Sequence, residues 1–113
     1  MADPPEDVVL VVTTLGDRDS AEELVRRLVD ERLIACGNIV PGLVSIYRWE
    51  GGVTTGAEVL VLMKTVDGRL TELMARAAEI HPYEVPELVA LRADEVSRAY
   101  GEWVMRETSR VSA

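Results

Sequence analysis

The chain has 113 residues, 48% of them apolar and 28% charged, the balance of one ordinary globular domain rather than a disordered segment or two domains. Its net charge of −8, from 12 basic and 20 acidic residues, argues against a nucleic-acid binder, which needs a basic face to displace counterions. A single cysteine excludes an intrachain disulfide, no apolar stretch approaches the length of a membrane span, and cytoplasmic residence with no membrane partner is the expectation.

Residues 1–6 are acidic, carry two prolines and read as a flexible tail ahead of a single domain over 7–108. The run Val8-Val9-Leu10-Val11-Val12-Thr13-Thr14, bounded by Gly16, predicts a strand buried on both faces, in the middle of a sheet. Asp19 and Glu22 have capping-box spacing. Ala21, Leu24, Val25, Leu28 and Val29 then repeat at helical spacing, which predicts an amphipathic helix ending near Leu33.

Residues 36–50 read as a long strand interrupted at Pro41-Gly42, and a proline there points to an edge strand with a bulge. Leu43, Ser45, Tyr47 and Trp49 share one face; Val44, Ile46, Arg48 and Glu50 share the other. Gly51-Gly52 marks a turn, and Glu58–Thr65 is the returning strand. Leu70, Leu73, Met74, Ala77 and Ile80 predict a second helix, stopped by Pro82. Glu87–Ala93 reads as a fourth strand. Ser97 is placed to cap a final helix carrying Tyr100, Trp103 and Val104, and residues 109–113 read as a frayed end.

Strand, helix, strand, strand, helix, strand is the split βαβ arrangement, so the fold class expected is α+β and ferredoxin-like, plus a C-terminal helix. Right-handed crossovers put both long helices on one face of an antiparallel sheet. The other face then lacks cover within the chain although its strands are apolar there too, which predicts oligomerisation.

Three segments together resemble the CutA family: Glu31-Arg32-Leu33-Ile34-Ala35-Cys36-Gly37-Asn38-Ile39-Val40-Pro41-Gly42, Ser45-Ile46-Tyr47-Arg48-Trp49-Glu50-Gly51, and His81-Pro82-Tyr83-Glu84-Val85-Pro86-Glu87. Lys64-Thr65 and Trp103 add to the likeness, which runs from about Val8 to Arg106. The resemblance implies a ferredoxin-like homotrimer similar to the PII signalling proteins, acting in the response to divalent metal, with copper the usual candidate. In some members the metal is attributed to a cysteine late in the first strand and two adjacent histidines before the Pro-Tyr motif. Here the corresponding positions hold Thr13 and Ile80, and of that set only His81 remains.

His81 is the only histidine and an imidazole suits copper or zinc; at a helix C-terminus its charged form would also meet the helix dipole favourably. Cys36 is a soft ligand for Cu(I), or simply a small buried hydrophobe. Thr13, Glu58, Lys64 and Tyr83 are expected around a cleft between subunits, with Glu58 and Lys64 both reaching His81 and Tyr83. Tyr47, Trp49 and Trp103, three of five aromatics, are expected at the trimer interface. An enzyme is not expected. Cys36 with His81 would be the nucleophile and base, but no nucleophile elbow, phosphate loop or metalloprotease motif accompanies them.

Overall fold

A computed structural model describes residues 7–110; the expected tail over 1–6 and the last three residues of the expected frayed end lie outside the described residues. The elements are β1 (Val8–Leu15), α1 (Arg18–Asp30), β2 (Cys36–Trp49), β3 (Gly52–Val66), α2 (Leu70–Ile80), β4 (Val89–Arg92) and α3 (Arg98–Glu107), with a 3-10 turn at Asp67–Arg69. They form one antiparallel sheet in the order β2-β3-β1-β4. β1 lies inside the sheet, as its unbroken apolar run predicts, and β2 and β4 are the edges.

Odd-numbered residues of β1 and β3 form one face of the sheet and even-numbered residues the other. The odd face carries Val9, Val11, Val59, Val61 and Met63, closed over by Leu24 and Leu28 of α1 and Leu73 and Ala77 of α2. On the even face Leu10, Val12, Leu60 and Leu62 stay partly exposed, flanked by exposed Val40, Val89 and Leu91. The chain does cover one end of this face. Val104 of α3 is fully buried against Val8, Ala35 and Val66, with Trp103 and Met105 packed beside it. The terminal helix is therefore the element that takes the second side of the sheet.

Local chemistry shifts several boundaries. The N-cap of α1 is Asp17, whose carboxylate accepts from the Ser20 amide at 2.7 Å, while Glu22 pairs with Arg18 instead of closing a capping box with Asp19. α1 ends before Leu33, because Arg32 adopts a left-handed φ of 60° and the Leu33 amide turns back to the Leu28 carbonyl. Buried Arg69 then donates to the carbonyls of Glu31 and Arg32 at that helix end. Ser97 stands at the N-cap of α3 but makes no side-chain capping bond. Past α3, the Thr108 hydroxyl is buried on the Val104 carbonyl, the Ser109 amide donates to Arg106, and Arg110 pairs with Glu72.

β3 begins at Gly52 rather than Glu58. Glu50 and Gly51 both have positive φ, 49° and 81°, the signature of a two-residue type I′ turn, so the chain returns at once and Trp49 pairs with Gly52. The bulge falls where Pro41-Gly42 predicts it: the register shifts between Val40 and Leu43, with Gly42 at φ 82°. That shift keeps Leu43, Ser45, Tyr47 and Trp49 on the face that carries Cys36 and Val40. The hairpin beyond Glu58 projects from the body and stretches the molecule to 56 × 26 × 22 Å.

Candidate functional site

The site forms where β1, β3 and the segment after α2 meet. Pro82 ends α2 by forcing His81 into extended backbone, φ −69° and ψ 137°, and turns its ring back toward the sheet. The ring is buried. Nε2 lies 3.0 Å from the Thr14 carbonyl and 3.1 Å from the Thr13 hydroxyl. Nδ1 accepts from the Tyr83 amide at 3.0 Å. Tyr83 then passes beside Gly16, at the end of β1, and donates its hydroxyl to Glu58 at 2.8 Å. The His81 and Tyr83 rings meet at a centroid distance of 4.9 Å.

Electrostatics follow from these partners. Partial burial pushes the Glu58 carboxyl up, but hydrogen bonds from Ser45, Tyr83 and Thr14, with His81 nearby, hold it below its ordinary value. Burial takes His81 below the ordinary imidazole value, against the opposing pull of the Thr14 carbonyl and Glu58. Burial, and then the bond to Glu58, push Tyr83 up to about 12. The resting cluster is an ionised carboxylate, a neutral phenol and a neutral imidazole. The favourable pairing of a charged histidine with the helix dipole does not arise here.

Four of the expected residues, Thr13, Glu58, His81 and Tyr83, thus come together. Lys64 does not join them in the chain. It stands on the same face of β3 as Glu58 but about 20 Å along the strand at 3.3 Å per residue. Its neighbour across the ladder is Cys36, also away from His81. Cys36 is half-buried, with its Sγ 3.4 Å from the Tyr100 hydroxyl, and Tyr100 lies against Trp103 at 5.7 Å. Burial, and then the bond to Cys36, raise Tyr100 to about 12. Trp103, on α3, is partly buried in its own chain against the cluster of Val8, Ala35, Val66 and Val104, whereas Tyr47 and Trp49 are exposed on the projecting hairpin.

Sequence reasoning misses three participants: Thr14 and Ser45, which donate to Glu58, and Tyr100. Thr14 closes an apolar run, and Ser45, although it opens the second of the three resembling segments, carries no signal of its own for a carboxylate partner; only the bulge brings Ser45 to Glu58. Tyr100 stands three residues before Trp103 on a helix, a spacing that signals a shared face but not a cysteine partner.

A metal does not fit this arrangement. A backbone amide can only donate, so Nδ1 of His81 is unprotonated and its lone pair is taken by Tyr83. A carbonyl can only accept, so Nε2 carries the proton. Among the described residues no cluster of three or more His, Cys, Asp or Glu side chains is placed to hold an ion.

Comparison with known proteins agrees on one family. Residues 9–107 match the family model described as "CutA1 divalent ion tolerance protein". The chain is 46% identical over 103 residues to the divalent-cation tolerance protein CutA of Thermus thermophilus, covering 91% of this chain and 98% of that protein. It is 38% identical over 100 residues to the chloroplastic protein CutA of Arabidopsis thaliana, covering 88% of this chain and 55% of that protein. Among solved structures, CutA1 from Oryza sativa superposes with a TM-score of 0.90 at 34% identity, over 95% of this chain and 98% of that one.

Proposed function

The chain belongs to the CutA1 divalent ion tolerance family, and from that premise we propose that it works as a homotrimer that takes its ligand between subunits in the response to divalent cations, copper first among them. It acts as a binding protein, not as an enzyme, and in the cytoplasm. The observation that carries this reading is the even face of the sheet, where Leu10, Val12, Val40, Leu60, Leu62, Val89 and Leu91 lie uncovered beyond α3. A second copy of the same chain is the occupant this face suits. Both sheet edges, β2 and β4, are open, and unpaired edges invite pairing between copies. The projecting hairpin points the same way. Val44 and Ile46 are each 70% exposed on one of its faces and Trp49 63% on the other, and an isolated two-stranded hairpin is marginal in water.

The compartment rests on a single free thiol and on the lack, among the described residues, of any helix long and apolar enough to cross a membrane. Copper rests on the family resemblance, with half-buried Cys36 as the one thiol in the sequence. A second reading, a PII-like signalling or scaffold module taking a small ligand or partner at the same clefts, is favoured by the Glu58–Tyr83 cluster, which offers hydrogen-bonding groups rather than vacant metal donors.

Light scattering tests the assembly: three times the 12.5 kDa chain mass is expected, and a folded monomer at micromolar concentration overturns the proposal. Calorimetric titration with Cu²⁺ and Zn²⁺ tests the cation, with Cys36→Ser expected to weaken copper. A thermal-shift screen of anionic metabolites in chelator tests the second reading, which fails if no compound stabilises the protein.

A further inference from the structure

The one histidine of the chain invites assignment as the metal ligand, and its hydrogen bonds oppose it. We infer that His81 is not a metal ligand but a positioning residue, a neutral Nε2–H imidazole that fixes residues 81–83 so that the Tyr83 hydroxyl stays on Glu58. The inference stands on contacts within one chain and holds whatever ligand the trimer takes.

Three observations converge. Each ring nitrogen has a partner that fixes its role: the Tyr83 amide, which only donates, at Nδ1 and the Thr14 carbonyl, which only accepts, at Nε2. The Thr13 hydroxyl, 3.1 Å from Nε2, fills the remaining polar approach to that nitrogen. The ring is buried, and burial lowers its affinity for a proton, in keeping with the neutral form. Coordination through Nε2 would remove its proton and leave the Thr14 carbonyl unpaired. Coordination through Nδ1 would release the Tyr83 amide. A polar group left unpaired at least partly out of water is unfavourable in either case, and among the described residues no group of three or more His, Cys, Asp or Glu stands ready to hold an ion.

The same bonds give the ring a task. Residues 82–88 have no helix or ladder of their own. Tyr83 is held at two points, its amide on His81 and its hydroxyl on Glu58. Removing the first releases the backbone that aims the second.

The test uses nitrogen NMR of the untagged, ¹⁵N-labelled full chain, where a single histidine makes the imidazole signals unambiguous. The expected spectrum has Nδ1 in the unprotonated range and Nε2 in the protonated range, and saturating Zn²⁺ moves neither. The opposite tautomer, or a saturable Zn²⁺-dependent shift of either nitrogen, overturns the inference. A tyrosine-ring carbon titration tests positioning. Tyr83 titrates at about 12 in the parent and is expected to fall toward 10.0 in His81→Phe. His81→Asn, whose amide oxygen can replace Nδ1 as acceptor, should restore much of the shift; equal titration in parent and His81→Phe refutes positioning. For Zn²⁺ affinity, His81→Asn should match the parent, because losing a true ligand would weaken binding by about tenfold or more.

Discussion

Leu62 and Met63 are consecutive residues of β3, both apolar, and the sheet gives them opposite fates. Met63 is fully buried among Val11, Val61 and the inner faces of α1 and α2; Leu62 points to the even face and stays partly exposed in the chain. The pleat alone separates them. The odd face of the sheet makes the fold of one subunit. The even face, equally apolar and covered only at one end by α3, carries the assembly proposed here. An alternating strand with apolar residues on both sides thus encodes two interfaces in one run of sequence.

Truncating the inner residue should give the largest effect on stability. Met63→Ala leaves a cavity in a closed core and is expected to cost about 2–5 kcal/mol, read by denaturant unfolding at fixed protomer concentration. The outer residue should behave differently. Leu62→Glu is expected to leave the far-ultraviolet circular dichroism of the subunit intact while lowering the assembled mass toward the 12.5 kDa chain in light scattering. A Leu62→Glu protein that stays fully assembled would break the comparison, since a carboxylate buried without a partner is strongly unfavourable.

How far this division can be read from sequence varies along the chain. The unbroken run Val8–Thr14 announces an inner strand, and Pro41-Gly42 announces the bulge, because steric and hydrogen-bonding limits at those residues leave few alternatives. The early start of β3 is not legible. Val53-Thr54-Thr55-Gly56 has no strong apolar pattern, and its pairing follows from the Glu50-Gly51 turn. The N-cap falls at Asp17 rather than Asp19 because two nearby aspartates offer the same chemistry and only the entry angle of the chain selects between them. At the site, residue type brings Thr13, Glu58, His81 and Tyr83 to attention. It cannot report that both nitrogens of His81 already have partners. Lys64 and Glu58 stand at the two ends of an apolar run, so within one chain the strand separates them, and residue type alone does not say whether a cleft between subunits would bring Lys64 to the others.

The site end of the sheet should also answer to pH. His81 is held below its ordinary value of 6.5 and Glu58 below its ordinary 4.5, so in both cases the unfolded chain binds protons more readily. Stability from His81 is therefore complete above about 6.5 and declines as pH falls toward its lower folded value. Stability from Glu58 is complete above its unfolded value and is lost as pH falls through its folded one. Tyr83 has the opposite sign: raised to about 12, it contributes below 10 and is lost as pH rises through 12. Denaturation midpoints measured between pH 4 and 7 should fall with acid in the parent and more weakly in His81→Asn. Parallel curves would mean that the imidazole is not buried neutral.

The smallest effect should come from the turn that delivers the chain from the inner face to β2. Arg32 holds a left-handed φ of 60° at the end of α1, where a residue with a Cβ is strained by about 1–2 kcal/mol. Its side chain offsets little of this, through one long bond of 3.4 Å to the Glu107 carbonyl on an exposed surface. Glycine relieves the strain but adds freedom to the unfolded chain, which returns part of the gain. Arg32→Gly is expected to stabilise the protein by about 0.5–1 kcal/mol in denaturant unfolding. The assembled mass should not change, because Arg32 is not among the uncovered apolar residues of the even face. A destabilised Arg32→Gly protein would mean that the long contact to α3 outweighs the backbone strain, and that the link between α1 and the helix covering the second face is stronger than its geometry suggests.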